Sequence, residues 1–349
     1  MEIRKLGNTD LTLSAIACGT FAIGGILWGG TDLGKAKDAI QASLEHGVTT
    51  IDTAPFYGMG LSEEIIGLAI KGRDRSKIQL LTKFGMVWDG SNDGRGDFMF
   101  HLDHNGKTYP IYRYASKENV IKEAEECLRR LKTDYIDLFQ IHWNDSTTPI
   151  AETMEALQKL IDQGKIRAAG VCNYNVDQMK EAQGSIRLAS NQVPFSLLTR
   201  EVEREIIPYA LKQDLGIIAY TPMERGLLTG KYFAGARLKL NDHRNDYFSH
   251  FELSKVKSLL DRIEPLAREK SASLAQLVLR WATMKPGIST VLAGARNAEQ
   301  AVENALAMTI MLDADDLALI DDEVARIIEP VNYGKRQVKW GSDGIAIWA

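Results

Sequence analysis

The stretch Ile51-Asp52-Thr53-Ala54-Pro55-Phe56-Tyr57-Gly58 ends a short apolar run at an aspartate and then turns through a proline and a glycine. It is one copy of a unit that recurs along the chain: an apolar or β-branched run, a polar or glycine turn, and a segment with helical periodicity. The predicted strands of the eight units are residues 15–18, 49–52, 78–82, 136–142, 168–172, 188–192, 217–220 and 290–293. Eight alternations favour an α/β fold, the (β/α)8 TIM barrel, over an open doubly wound sheet.

The segment after the first predicted strand bears on the open-sheet alternative. A dinucleotide-binding sheet carries GxGxxG at this point, with an acidic residue about 20 positions further on. The chain instead has Gly19-Thr20-Phe21-Ala22-Ile23-Gly24-Gly25, which lacks that spacing. If the protein binds a nucleotide, it therefore holds it in another way.

Further elements flank and connect the eight strands. Residues 3–6 and 11–14 alternate around the turn-forming residues Gly7-Asn8-Thr9-Asp10, which predicts an N-terminal β-hairpin. Helical spacing predicts helices over residues 117–131, 151–163, 201–213 and 274–284.

The composition is that of a folded chain with a large core. The 349 residues are 45% apolar and 25% charged, and α/β barrels of more than about 250 residues commonly form one domain, so we predict a single domain over residues 1–349. The 42 basic and 46 acidic residues are spread along the chain, giving a net charge of -4 and no basic stripe for nucleic acid or anionic lipid.

The sequence shows neither a membrane span nor a disulfide pattern. No run approaches about 18 apolar residues, and the first residues lack a signal-peptide core, so we expect a cytoplasmic protein. The three cysteines, Cys18, Cys127 and Cys172, are odd in number and widely spaced, which predicts free thiols.

Three segments are longer than an ordinary barrel loop and are candidates for a substrate lid. They are residues 84–116, residues 221–251, and the C-terminal tail from Pro330 with Tyr333, Trp340 and Trp348. The first segment contains His101 and His104, but two histidines without further ligands do not make a metal site, so we predict no metal.

Polar residues at three successive strand ends form a candidate proton-donor site. Asp52 and His142 end the second and fourth predicted strands, Lys83 directly follows the third, and Tyr57 follows Asp52 by five residues. A parallel barrel brings its strand ends to one mouth. Tyrosine, with a pKa of about 10, needs a nearby cation to serve as an acid, and Lys83 supplies one with Asp52 as its counter-ion. A neutral His142 would orient a substrate oxygen.

Each of these residues also has an ordinary structural interpretation. Asp52 followed by Thr53-Ala54-Pro55 suits a helix N-cap, Tyr57 suits loop packing, and Lys83 suits a solvated strand end. Their joint placement on neighbouring strand ends favours the functional interpretation.

These motifs resemble the aldo-keto reductase superfamily over essentially the whole chain. The resemblance is carried by Asp52-Thr53-Ala54 with Tyr57-Gly58, by Thr82-Lys83, by residues 135–143 and by Gly164-Lys165-Ile166-Arg167. Within the superfamily, Leu227-Leu228-Thr229-Gly230-Lys231 and Gly294-Ala295-Arg296 look most like bacterial general-stress and inositol-cluster reductases. The resemblance implies a barrel that binds NADP(H), a catalytic tetrad of Asp52, Tyr57, Lys83 and His142, and Tyr57 as the acid and base.

The resemblance also implies a set of cofactor-binding residues. Cys172 stands where the family usually has a serine and leaves only a weak S–H donor, so Asn173 and Gln192 are the stronger candidates for holding the nicotinamide carboxamide. Tyr220 would stack under the ring, and the glycine-containing loop after it would bind the pyrophosphate. The complete set is Thr20, Phe21, Asp52, Cys172, Asn173, Gln192, Tyr220, Thr221, Met223, Glu224, Arg225, Gly226, Lys231, Gly294, Arg296, Gln300 and Asn304.

Arg296 lies where the family has its adenosine-phosphate motif. A guanidinium near a helix N-terminus suits a 2′-phosphate, which favours NADPH over NADH. The alternative is that Arg296 is a surface residue at the start of an amphipathic helix.

The expected activity is NADPH-dependent reduction of an aldehyde or ketone, with a small-molecule carbonyl or alcohol as substrate. Aromatic and polar residues in the long loops, such as His104, Tyr109 and Arg113, suit a hydroxylated or ring-containing substrate. The alternatives are a sugar or alcohol dehydrogenase working oxidatively, and a non-catalytic NADP(H)-sensing protein. A homo-oligomer is compatible with the sequence. The candidate substrate wall consists of Trp28, Phe56, Trp88 and Trp143, each of which also suits core packing.

Overall fold

The computed structural model describes residues 1–239 and 242–328, together with the backbone of two short paired strands, Val338–Trp340 and Ala346–Trp348. The tail residue Tyr333, and the side chains of Trp340 and Trp348, lie outside the described residues.

Eight parallel strands form a closed barrel, which confirms the predicted fold class. The first strand pairs with the second and also with the eighth, where Gly294 lies opposite Gly19, so the barrel is closed. Every residue of the fourth strand is buried, and two-sided burial explains why the strands appear in the sequence as unbroken apolar runs. The strands are Ile16–Gly19, Thr50–Asp52, Gln79–Phe84, Ile136–Ile141, Ile166–Cys172, Leu188–Pro194, Gly216–Tyr220 and Ile288–Gly294.

The helices of the described residues surround this barrel. None of them is both long and apolar enough to cross a membrane. They are Leu33–Glu45, Leu61–Ala69, Lys117–Leu131, Ile150–Asp162, Val176–Gln183, Ile206–Lys212, Arg244–Ser249, Leu253–Glu269, Leu274–Thr283, Ala298–Leu306 and Ala314–Ile327.

One predicted helix is divided in the structure. The segment 201–213 forms a single 3-10 turn, Glu201–Glu203, followed by the α-helix Ile206–Lys212. Pro208 explains the division, because it has no N–H and is tolerated only in the first turn of a helix. The single-helix prediction for this segment was therefore wrong.

The predicted N-terminal hairpin closes the end of the barrel opposite the strand C-termini. Its strands Ile3–Lys5 and Thr12–Ser14 pair antiparallel. Leu6, Leu11 and Leu13 are buried among inward-facing barrel residues. This leaves the C-terminal mouth as the accessible end of the barrel.

The first long loop contains a small sheet of its own, which we name the cap. It consists of Met86–Val87, Asp97–His104 and Lys107–Arg113, with the last strand in the middle and all pairing antiparallel. One face of the cap packs in a cluster with Phe56. The second long loop contains the 3-10 segment Glu224–Thr229 and the short helix Arg244–Ser249.

A buried glutamate fixes the point where the cap leaves the barrel. The Glu123 carboxyl accepts a hydrogen bond from the Gly85 N–H at 3.0 Å and one from the Asn119 amide at 2.6 Å. The Asn119 amide also donates to the Tyr114 carbonyl at 2.9 Å, so this pair of side chains holds both ends of the cap. Burial raises the pKa of Glu123 to about 8, although these hydrogen bonds and Arg130 oppose the shift.

Glu123→Gln is therefore expected to change the pH dependence of stability. The folded protein binds the Glu123 proton more tightly than the unfolded chain, in which the pKa is near 4.5. The wild type then loses unfolding free energy as pH rises from about 4.5 to about 8, on the order of a few kcal/mol in total. The variant lacks this loss, so its melting temperature relative to the wild type should increase with pH. A difference in melting temperature between the two proteins that stays constant from pH 5 to pH 8 would contradict the prediction.

Candidate active site

A cleft of about 500 Å³ opens at the C-terminal mouth of the barrel. Its size is ordinary for a site that binds a small molecule or cofactor. The predicted residues that line it are Thr20, Phe21, Trp28, Asp52, Phe56, Tyr57, His142, Trp143, Cys172, Asn173, Gln192, Tyr220, Thr221, Met223, Arg225, Gly226, Lys231, Gly294, Arg296, Gln300 and Asn304.

The four predicted catalytic residues meet at the floor of this cleft. The Lys83 ammonium group donates to an Asp52 carboxylate oxygen at 2.6 Å, to the Thr53 carbonyl at 2.8 Å and to the Tyr57 hydroxyl at 3.3 Å. The Tyr57 and His142 rings are 5.9 Å apart between centroids and nearly perpendicular. Lys83 itself is fully buried beneath the cleft. The Asp52 carboxylate pairs with Lys83 rather than capping a helix.

Burial sets the protonation states of these groups. It raises the pKa of Tyr57 to about 12, although the Lys83 charge opposes part of that rise. Burial alone lowers the pKa of Lys83, but Asp52 and Tyr57 outweigh it, so the pKa of Lys83 lies above its ordinary value. Burial, aided by the Lys83 charge, lowers the pKa of His142 well below its ordinary value. At neutral pH the site therefore contains a protonated phenol, an ammonium ion and a neutral imidazole.

Polar groups from the next three strand ends adjoin this floor. The Asn173 amide donates to the His142 carbonyl at 3.1 Å, and its oxygen accepts from the Tyr220 hydroxyl at 2.8 Å. The Gln192 amide donates to the second Asp52 oxygen at 2.8 Å. These contacts hold a row of amide and hydroxyl groups in fixed orientations beside Tyr57.

Cys172, the residue that departs from the family pattern, lies in the same wall. Its side chain is buried, and burial raises the pKa of the thiol. It therefore contributes a neutral thiol where the family usually has a hydroxyl. All three cysteines are unpaired, as predicted.

The loop after the seventh strand has an unusual backbone. Thr221 has a φ of 55°, and Glu224, Arg225 and Gly226 follow with φ values of 46°, 55° and 95°. Successive residues in left-handed or turn conformations form concavities lined by N–H groups, which bind anions. This backbone fits the phosphate-binding role expected of the loop.

One residue of the predicted cofactor-binding set, Glu224, and one of the predicted aromatic wall, Trp88, lie away from the cleft. The Glu224 side chain is fully buried and accepts hydrogen bonds from Ser196, from Thr199 at 2.8 Å and from Tyr247. It anchors the loop from within and does not line the cleft. Trp88 packs against Phe56 with ring centroids 6.4 Å apart, so it supports the aromatic wall from behind.

The remaining aromatic candidates all line the cleft, whereas the candidates from the first long loop do not. Trp28, Phe56 and Trp143 line the cleft, and the Phe21 ring lies 4.9 Å from the Tyr57 ring. The residues suggested for substrate contact in the first long loop, His104, Tyr109 and Arg113, belong to the cap and do not line the cleft.

Another part of the cleft is basic. Lys231, Arg244 and Arg296, which we name the basic patch, all line it. The Arg296 guanidinium donates to the Trp28 carbonyl at 3.1 Å and to the Gly30 carbonyl at 2.6 Å. Arg296 also precedes the helix Ala298–Leu306, whose N-terminus favours anions.

Several residues that line the cleft were not predicted from the sequence. Most come from the segments after the sixth and seventh strands, where no motif marks a side chain that faces the cleft. They include Thr199, Arg244, Tyr247, His250, Phe251, Ser273 and Glu303. Residues 244–249 carry no detectable signal either, because six residues are too few to establish a helical period.

The donor set fits a nicotinamide dinucleotide. The row formed by Asn173, Gln192 and Tyr220 can bind a carboxamide, while Lys231 and Arg296 can bind phosphates. No cluster of three or more metal-ligating side chains occurs in the described part of the chain.

Comparison with known proteins agrees with this geometry. Residues 15–325 match the model of the Aldo/keto reductase family. The aldo-keto reductase YhdN of Bacillus subtilis (strain 168) is 37% identical over 86% of this chain and 86% of its own. The NADH-specific methylglyoxal reductase of Escherichia coli (strain K12) is 34% identical over 94% of this chain and 100% of its own. The structure of the glycerol dehydrogenase AKR11B4 from Gluconobacter oxydans superposes with a TM-score of 0.83 at 35% identity, covering 95% of this chain and 97% of that one.

Proposed function

The chain belongs to the aldo/keto reductase family, and from this premise we propose that it is an NADP(H)-dependent oxidoreductase that reduces an aldehyde or ketone to the alcohol. The observation that carries the proposal is the Tyr57 hydroxyl at the cleft floor, 3.3 Å from an ammonium group that is itself paired with Asp52 at 2.6 Å. A bound reduced nicotinamide supplies the hydride.

The side chains at the cleft floor perform the proton chemistry. Tyr57 binds the carbonyl oxygen and transfers its hydroxyl proton to it as the alcohol forms. Lys83 stabilises the resulting phenolate by its charge, and Asp52 keeps Lys83 charged and in place. His142, held neutral, donates a hydrogen bond that orients the carbonyl oxygen. The aromatic wall of Phe21, Trp28, Phe56 and Trp143 excludes water from this step.

The basic patch supports NADPH as the preferred cofactor, because a 2′-phosphate adds a dianion that arginine and lysine can bind. The relative from Escherichia coli is NADH-specific by name, so family membership alone does not give the preference. The proposal rests on Lys231 and Arg296 in the cleft wall.

Arg296→Leu is expected to change this preference. A charge-assisted hydrogen bond contributes about 1.5–3 kcal/mol, so kcat/KM for NADPH should fall about 10–100-fold while that for NADH changes about twofold or less. Steady-state kinetics with both cofactors measures the ratio. An equal loss for both cofactors would mean that Arg296 acts only by holding residues 28–30, to which it is hydrogen-bonded.

The oxidative direction is the second candidate. The similarity to a glycerol dehydrogenase favours an alcohol or polyol as the physiological substrate. The same residues can catalyse the oxidation of an alcohol to the carbonyl compound, with Tyr57 as the base that accepts the hydroxyl proton. A hydroxylated carbonyl compound is the substrate class that serves both directions.

A substrate panel tests the proposed function. Small aldehydes, ketones and hydroxylated carbonyl compounds are offered with NADPH or NADH, and the matching alcohols and polyols with the oxidised cofactors. We expect turnover with NADPH and a preference for hydroxylated substrates. Tight cofactor binding without turnover on any substrate would instead favour the NADP(H)-sensing alternative.

The remaining sequence expectations extend this proposal. A single domain over residues 1–349 is supported by the match along 95% of the chain to one structure. A small-molecule substrate is supported by the size of the cleft. The proposal places the enzyme in the cytoplasm.

A further inference from the structure

The short helix Arg244–Ser249 begins with an arginine at the edge of the cleft. The Arg244 guanidinium donates to both carboxylate oxygens of Asp242, at 2.8 and 2.6 Å, and to the Tyr232 hydroxyl at 2.7 Å. Its central carbon also lies 4.8 Å from the centre of the Trp28 ring. A guanidinium has five N–H groups, and these contacts use three of them while fixing the plane of the group.

The residue before Arg244, His243, links this segment to the loop of residues 27–30. His243 is hydrogen-bonded through Nδ1 to the Leu27 carbonyl, and its ring lies 4.6 Å from the Trp28 ring. The Arg296 guanidinium donates hydrogen bonds to the carbonyls of Trp28 and Gly30. Arg244 and Arg296 therefore both contact the loop of residues 27–30, one at the Trp28 ring and the other at its backbone.

The net charge around the basic patch is positive even when the nearby carboxylates of Asp242 and Glu303 are included. The basic patch contributes three cations, and Asp242 and Glu303 lie close enough to influence Lys231. Glu303 accepts a hydrogen bond from Ser273 at 2.7 Å. Burial lowers the pKa of Lys231, and the charges of Arg244 and Arg296 add to that effect. An unbalanced, partly buried positive charge of this kind favours an anionic ligand.

We propose that Arg244, oriented by Asp242, is a specificity-determining residue that binds the 2′-phosphate of the cofactor together with Arg296. This inference rests on the proposed function, because it requires a nicotinamide dinucleotide in the cleft. A planar guanidinium held at a fixed angle binds a phosphate through parallel hydrogen bonds, which a lysine cannot reproduce. The helix Arg244–Ser249 thereby distinguishes NADP(H) from NAD(H).

The test measures binding of cofactor fragments and does not depend on turnover. Titration calorimetry gives the dissociation constants of 2′,5′-ADP and of 5′-ADP for the wild type, Arg244→Gln and Arg244→Lys. Arg268→Gln is the control for loss of a positive charge, because Arg268 is 75% exposed and pairs only with Glu264 on its own helix among the described residues. We expect Arg244→Gln to weaken 2′,5′-ADP binding about 10-fold or more. Arg244→Lys should lose less, and Arg268→Gln nothing.

Retained 5′-ADP binding shows that the cleft of each variant is intact. Equal weakening of both ligands in Arg244→Gln would overturn the inference, since Arg244 would then hold the loops together without distinguishing the 2′-phosphate. Unchanged binding of both ligands would overturn it as well, while leaving the proposed function in place. A wild type that binds neither fragment would remove the proposed cofactor and the inference together.

Discussion

Lys83→Met is expected to abolish carbonyl reduction and to destabilise the fold. Lys83 is fully buried, and its ammonium group forms a 2.6 Å contact with the buried Asp52 carboxylate. Removing one partner of a buried ion pair leaves an uncompensated charge and costs about 3–5 kcal/mol of unfolding free energy. The reaction also loses the cation that lowers the pKa of Tyr57 against the effect of burial. Chemical denaturation and steady-state kinetics measure the two effects.

The double variant Asp52→Asn with Lys83→Met separates stability from catalysis. Because it removes both charges, the unfolding free energy should recover much of the loss seen in Lys83→Met. Activity should stay absent, since neither variant supplies a cation beside Tyr57. Recovery of activity in the double variant would show that Lys83 has only a structural role.

Tyr57→Phe is expected to lower kcat for carbonyl reduction by about 10²–10⁴-fold, the usual contribution of general acid catalysis. The substitution removes one hydroxyl from the cleft floor and keeps the ring, which packs against Phe21 at 4.9 Å. Folding and cofactor affinity should therefore remain near those of the wild type. Fluorescence titration with NADPH and steady-state rates measure the two quantities.

A second tyrosine provides a matched control. The Tyr174 side chain is buried, and its hydroxyl has no hydrogen-bond partner among the described residues. Tyr174→Phe makes the same chemical change away from the cleft, so kcat should stay within about twofold of the wild type. If both variants lost activity to the same extent, the loss would come from packing, and Tyr57 would not be the proton donor.

The sequence was sufficient to predict the barrel and the residues at its floor. Asp52, Lys83 and His142 could be placed together because each ends an apolar run, and parallel strands in a closed barrel bring such ends to one mouth. Tyr57 follows within five residues and had little freedom to lie elsewhere. These positions depend on local periodicity and on one topological rule.

Features that depend on long-range packing were not predictable in this way. The cap sheet pairs strands inside a segment that appears in the sequence as a long polar and aromatic loop. Glu224 belongs to a loop that resembles a phosphate-binding motif, yet its carboxylate points inward to Tyr247. Arg244 lines the cleft with its guanidinium carbon 4.8 Å from the centre of the Trp28 ring, which belongs to a distant part of the sequence. In each case the partner lies elsewhere in the chain and no local pattern marks it.

The most direct test of the central claim is a single turnover of bound NADPH. Wild type and Tyr57→Phe are loaded with NADPH to the same occupancy and mixed with an excess of a reactive aromatic aldehyde, and the loss of NADPH absorbance is followed in time. A proton-donating Tyr57 predicts a fast oxidation phase in the wild type and one slower by about 10²-fold or more in the variant. Equal, slow oxidation in both proteins would contradict the reductase assignment and favour a protein that binds NADP(H) without using it.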